Sequence, residues 1–410
     1  MKGPNRIYGF LMIYLSIMAI SVIGNLYGIR PNFSTSNTWI YSISLATLTH
    51  LNTGIMPLPV SNSFYIFSLL ITQISGLLVM TMLLWLCWQL FGNLPEKSFP
   101  LTKALRYTFI FSLIIELILF GFFLYSIPKE LTNDSLNQKI LASLSLAVNS
   151  FNNSGFTLWS HYLKENVLST NFMVQVGIIA GSTLGNLGIF VIIELFSPLK
   201  LRQRLNNPSV DWTFITKLSF FGSAAIMILF VVIYHLFGNQ DFLLNKNILE
   251  TISYILLEGA NARGFGFDLS IDPLFKTEIL RTAYSFFGAG PFSSGGGIGL
   301  LFFVFAYALI KGKNNVTEES NTAFSIVKNW LYVTVICIGI SLFVLIFSSP
   351  KMRFTEVFLV YNSNHINLIS SEESVPTTIV TIFLNLSGRI SLIIACMITL
   401  NQIKHASRSL

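Results

Sequence analysis

The sequence predicts an all-α polytopic membrane protein: four membrane-pore-membrane repeats, with eight spans and four re-entrant pore helices, around one central pore. Three observations predict it. The chain has 410 residues, of which 53% are hydrophobic and only 10% charged. A soluble domain carries about 25% charged residues, so a water-facing surface of this size cannot be built. Long apolar runs recur along the chain, each near or above the ~20 residues that cross a bilayer as helix. Between them lie shorter apolar runs with polar tails, and the whole pattern recurs roughly every 100 residues, a period that marks internal duplication.

The long runs cover 7–29, 64–91, 104–127, 172–197, 213–237, 274–310, 325–348 and 377–402. The first follows the charged start Met1 to Arg6. It exceeds a signal-peptide core and lacks a small-residue cleavage site, so it reads as a span that stays. The short runs, at 39–50, 138–150, 247–258 and 351–361, are too short to cross and read as re-entrant. Long, short, long thus repeats over 1–98, 99–205, 206–320 and 321–410.

Each short run ends in a related tail. The first contains Asn52-Thr53-Gly54, the second Asn152-Asn153-Ser154-Gly155, the third Asn261-Ala262-Arg263-Gly264 and the fourth Asn362-Ser363-Asn364-His365. Non-helical backbone at membrane depth is tolerated only when buried in protein or lining a watery cavity. Four such tails suit a pore in which backbone carbonyls replace the hydration shell of a monovalent cation, with glycine letting the strand turn. Helix C-termini would add negative dipole ends along the path.

A second feature breaks the sixth run. Gly288-Ala289-Gly290-Pro291-Phe292-Ser293-Ser294-Gly295-Gly296-Gly297 cannot hold a regular helix. No Gly-Lys-Ser/Thr follows, so a phosphate loop is disfavoured; a flexible intramembrane gate is the better reading. Among intramembrane charges, which are functional candidates by default, Arg389 is the foremost because its guanidinium can bond loose carbonyls of that loop. Arg281 precedes the loop. Glu116 also lies within a span, with no partner evident in the sequence, and Glu194 near a cytoplasmic end reads as an ordinary interfacial residue.

The 25 basic residues set the topology. Lys2, Arg6, Lys97, Lys103, Arg106, Lys200, Arg202, Arg204, Lys217, Lys311, Lys313, Lys328, Lys404 and Arg408 fall on the side of both termini, which makes it the cytoplasm. That distribution also disposes of nucleic acid as a partner, despite a net charge of +7, and leaves membrane lipid. Cys87, Cys337 and Cys396 fall in apolar runs and suggest neither disulfides nor a metal site. A membrane-embedded enzyme is disfavoured, since His50, His161, His235, His365 and His405 are scattered and no nucleophile-base spacing occurs. No organic cofactor is expected.

These tails and loops resemble those of the Trk/Ktr/HKT superfamily of potassium transporters, in the manner of its pore-forming membrane subunits of the TrkH/KtrB type, over essentially the whole chain. Phe151-Asn152-Asn153-Ser154-Gly155-Phe156 is similar to the family's second filter. Gly181-Ser182-Thr183-Leu184-Gly185-Asn186-Leu187-Gly188-Ile189-Phe190 resembles the glycine-rich start of the helix after it. Gly288 to Gly297 resembles the family's gating loop, and Arg389 the arginine beside that loop. The resemblance implies K⁺ uptake, a homodimer, and a cytosolic nucleotide-binding regulatory subunit of the TrkA/KtrA type. Two positions depart from the pattern. His365 stands where the fourth filter has glycine, and Arg263 precedes Gly264 where a small residue is usual. Relaxed selectivity, with Na⁺ passing beside K⁺, or ion-coupled symport is therefore the alternative expectation.

Overall fold

The computed structural model describes residues 3–29, 62–91, 101–128, 135–154, 171–207, 211–237, 247–262, 299–311, 318–348 and 375–406, with positions 39, 42–43, 46–47, 279–280, 282–285, 290 and 292–293. The helices are α1 (Gly3–Ile29), α2 (Asn62–Phe91), α3 (Leu101–Ser126), α4 (Leu136–Asn152), α5 (Phe172–Leu187) and α6 (Ile189–Phe196). They continue with α7 (Pro198–Asn206), α8 (Phe214–Phe237), α9 (Ile248–Ala260), α10 (Leu301–Lys311), α11 (Glu318–Ser348) and α12 (Val375–Ala406). No strand occurs among the described residues. The chain is an all-helical, polytopic membrane protein.

Polarity shows how these helices face lipid. On α3, Thr108, Ser112, Ile115, Glu116, Leu119 and Phe123 are buried. The opposite face exposes Phe109, Ile110, Leu113, Ile114, Leu117 and Ile118. Polar groups thus turn inward and large apolar groups outward, the reverse of a soluble amphipathic helix. The same apolar exposure runs along α8 through Phe221, Ile228, Val232 and Leu236, and along α11 through Tyr332, Val335, Ile336 and Ile340. Four described helices are each long and apolar enough to cross a bilayer, and six spans result if each bent pair counts as one.

One expected span is bent rather than straight. The run 172–197 does not form a single helix: α5 stops at Leu187, and α6 leaves it at 97°. The reason is local. Gly188 adopts φ 82°, ψ 150°, which no helix accommodates, and its N–H bonds to Gly185 O at 3.3 Å in a closing turn. The run 274–310 is also not continuous; it is helical at 279–280 and 282–285, turns at 292–293, and becomes helical again from Leu301.

Packing closes a circuit. α1 packs on α2, α2 on α3 and α4, and α4 lies between α3 and α5. α9 lies between α5 and α8, α10 packs on α11, α11 on α12, and α12 returns onto α2. One apolar cluster, including Leu84, Phe123, Phe151, Ile192, Phe292, Trp330 and Leu384, runs through this circuit. A smaller cluster joins α8 to α9 and residue 284, where the Phe230 and Tyr284 rings lie 4.2 Å apart. Of the short run 39–50, positions 39, 42–43 and 46–47 are helical, and Asn25 Nδ2 of α1 donates to Ser42 O at 3.3 Å. The run 351–361 lies outside the described residues.

Polar bonds lock α11 to α12. Trp330 Nε1 donates to Ser391 Oγ at 3.0 Å, and Asn329 Nδ2 donates to Thr399 Oγ1 at 2.9 Å. Trp330 is fully buried. We expect Trp330→Ala to destabilise the protein by about 3–5 kcal/mol through the cavity it leaves, and Ser391→Ala by about 1 kcal/mol. Thermal unfolding in detergent measures both.

Candidate functional site

The site is built at the end of the short helix α4. Its N-terminal turns are partly exposed, Leu136 at 67%, while every residue from Ala147 to Ser154 is buried. The helix therefore dips into the protein C-terminus first. It stops because Asn153 takes the left-handed conformation, φ 54°, ψ 47°, and Ser154 N returns to Asn149 O at 2.8 Å. Glycine usually fills this capping position; asparagine is among the few other residues that enter it readily.

Side chains from three other helices hold this turn. Asn153 Oδ1 accepts from Ser182 Oγ at 2.6 Å and from Asn186 Nδ2 at 3.3 Å. Ser182 and Asn186 lie one turn apart on α5, so both reach the same atom. Asn186 Nδ2 also reaches Ser182 Oγ at 3.3 Å. Close approach of α5 requires glycine at 181, where a methyl group would run into the Ser150 side chain. On the other flank, Asn152 Nδ2 donates to Gln73 Oε1 of α2 at 2.7 Å and to Val148 O at 3.0 Å. Gln73 Nε2 in turn donates to both oxygens of Glu116 at 2.8 Å. Glu116, without a partner in the sequence reading, thus sits in a buried network. Tyr65 of α2 and Ser145 of α4 hydrogen-bond as well.

The glycine-rich loop meets the opposite side of α5. Gly290 N donates to Asn186 O at 3.0 Å. A methyl group at 290 would collide with that same carbonyl, and one at 188 would lie 2.9 Å from Phe292 O. The loop is seated in the break between α5 and α6, with Phe292 in a left-handed turn (φ 62°) and its ring 5.9 Å from that of Phe91. Ser293 is buried there. Asn186 is therefore the hub: its side chain holds Asn153, and its carbonyl holds the loop. The segment Gly181–Phe190 does not begin a helix, as the resemblance suggested; it spans the end of α5 and the break.

Two further carboxylates are buried. Glu194 is not an interfacial side chain: it accepts from Thr213 N at 3.0 Å, Thr213 Oγ1 at 2.6 Å and Thr216 Oγ1, and pairs with Arg204 at 3.4 Å. It caps the positive end of α8. Glu258, near the end of α9, accepts from Tyr254 Oη at 2.9 Å. α9 is tied to α5 by Ser253 Oγ donating to Gln175 Oε1 at 2.7 Å.

Of the candidates from sequence, the structure brings together Asn153, Ser154, Gly290 and Ser293 around α5. Asn52, Thr53, Gly54, Gly155, Arg263, Gly264, Asn364, His365, Gly288, Ser294, Gly295, Gly296 and Gly297 lie outside the described residues, as does Arg281. Arg389 is a residue of α12, and its side chain lies outside the described set. Sequence reasoning missed Gln73, the hub role of Asn186, and Glu258. Each is a polar residue within an apolar run, which was the available signal. Among the described residues no three His, Cys, Asp or Glu side chains gather as a metal site.

No protein-family model matches the chain, and no curated protein matches it. Among solved structures it is similar to the potassium transporter TrkH from Vibrio parahaemolyticus, with a TM-score of 0.65 and 12% identity, over 94% of this chain and 83% of that one. The likeness shows the fold.

The seating of the loop makes a testable point. A cysteine at Ser293 should be unreactive to a membrane-permeant maleimide in the wild-type background. It should become reactive when Gly290→Ala pushes the loop off the Asn186 carbonyl. Labelling rates in membranes, about tenfold apart, are the expected outcome.

Proposed function

We propose that this protein takes up monovalent cations, K⁺ foremost, across the cell membrane through a pore lined by backbone carbonyls, with the glycine-rich loop as its gate. One observation carries the reading: backbone leaves the helix at Asn153–Ser154 completely buried in the protein, and polar groups of other helices hold it there. Such a turn at the negative end of a helix presents carbonyl oxygens and a favourable potential to a cation. The fold likeness to a potassium transporter supports the same reading.

The mechanism follows from the parts. A cation sheds water at the pore loops and is carried by carbonyl oxygens. Inward movement is driven by the membrane potential, worth about 2.3 kcal/mol per 100 mV for each charge. The loop at 290–293, docked in the break of α5 and α6, opens or closes the path below the filter. We further propose cytoplasmic termini, from the distribution of basic residues, and a homodimer with a cytosolic nucleotide-binding regulator. A second reading, weak discrimination between K⁺ and Na⁺ or coupling to another ion, is favoured by His365 standing where the repeat pattern calls for glycine.

Expression in cells lacking their own potassium uptake should restore growth at low K⁺, and proteoliposomes should carry Rb⁺ faster than Na⁺. Failure on both counts, with protein present in the membrane, removes the proposal. Should His365 loosen the filter, His365→Gly will raise the Rb⁺/Na⁺ flux ratio several-fold; an unchanged ratio discards the second reading.

A further inference from the structure

The network behind Asn152 has a chemistry that packing alone does not demand. Gln73, Glu116 and Asn152 come from three helices, α2, α3 and α4, and meet on the lipid-averted face of α3. Glu116 is 8% exposed and Asn152 1%. Both Glu116 oxygens accept from Gln73 Nε2 at 2.8 Å, and Asn152 Nδ2 approaches Glu116 Oε1 at 3.4 Å. No lysine or arginine among the described residues pairs with Glu116. A carboxylate at this depth is costly, and intramembrane charges are kept for function.

The direction of the bonds says what that function is. Gln73 turns its amide N–H group toward the Glu116 oxygens, donating to both at 2.8 Å. The Gln73 oxygen is then left facing Asn152, whose own N–H group it receives at 2.7 Å. Asn152 is the last residue of α4 and is followed directly by the left-handed Asn153 and by Ser154.

Resting on the transport reading above, we propose that Glu116 is a positioning residue for cation selectivity. Through Gln73 and Asn152 it fixes the direction in which backbone leaves α4, and so the carbonyl geometry of the second pore loop. Removing it leaves the fold standing but frees this quarter of the filter.

An exchange of partners tests the idea. Glu116→Gln puts an amide N–H group where one of the two oxygens accepted from Gln73, and Gln73→Glu removes the N–H group that donates to Glu116; each should cut the Rb⁺/Na⁺ flux ratio in proteoliposomes about tenfold. The double exchange Gln73→Glu with Glu116→Gln rebuilds the network, because the carboxylate now at position 73 accepts both from the amide now at position 116 and from Asn152. It should return the ratio to within a few-fold of wild type. Asn152→Ala, which leaves the Gln73–Glu116 pair intact, should lower the ratio as Glu116→Gln does, without further loss when the two are combined. Thermal unfolding of the same preparations keeps a folding defect apart from a selectivity defect. A folded Glu116→Gln protein with the wild-type ratio overturns the proposal, as does a folded double exchange that stays as impaired as the singles. Wild-type vesicles without cation flux would overturn the transport reading itself, and this inference with it.

Discussion

Backbone that leaves the helix inside a hydrocarbon layer must take its hydrogen bonds from protein, because there is no water to supply them. The chain leaves the helix within the protein after Asn152 and at Gly188, and the surrounding packing supplies bonds to both. α4 can end inside the protein because Asn153 turns left-handed and returns the Ser154 N–H to Asn149 O. The broken helix can bend by 97° because Gly185 receives the Gly188 N–H and the Asn186 carbonyl is covered by Gly290. Asn186 serves the turn after α4 and the glycine-rich loop at once, which makes the two neighbours through a single residue.

The same requirement explains the inverted polarity. With lipid outside, apolar side chains gain little by turning inward, and helix association relies on packing and on interior polar bonds. Each such bond is modest, on average about 0.6 kcal/mol in a membrane, so many are used. Trp330–Ser391, Asn329–Thr399, Ser253–Gln175 and the Gln73–Glu116–Asn152 network are spread around the circuit. Small residues allow the approach: α5 comes close to α3 and α4 because Gly177 and Gly181 leave room for Phe123 and Ser150. The charges of Glu194 and Glu258 are likewise answered by hydroxyl groups, with Arg204 added at the first.

Much of this was legible from one dimension. Apolar run length separates spans from re-entrant segments, so α2, α3, α4, α8, α9 and α11 lie close to where the runs predict them. The polar tail after α4 singled out Asn153 and Ser154, and the glycine cluster singled out 290–293. The break at Gly188 was hidden, because the glycine-rich stretch 181–190 read as the start of a helix. Glu116 looked orphaned, since its partners stand 43 and 36 residues away in sequence. Glu194 looked superficial because its partners, Arg204, Thr213 and Thr216, stand beyond the end of its own helix. Periodicity carries no information about such distant pairings.

By itself, then, the sequence determined the class of solvent and the helical architecture, and it marked the irregular backbone after α4 but not the break at Gly188. Those properties depend on composition and on local conformational preference, which are written residue by residue. Tertiary structure alone decided which polar groups meet: that Asn186 serves two segments, that Gly188 bends the helix, and that Glu116 faces Gln73 behind the turn after α4. A hydrogen bond depends on a few tenths of an ångström between residues far apart in the chain, and only the packed circuit of helices brings them to that distance.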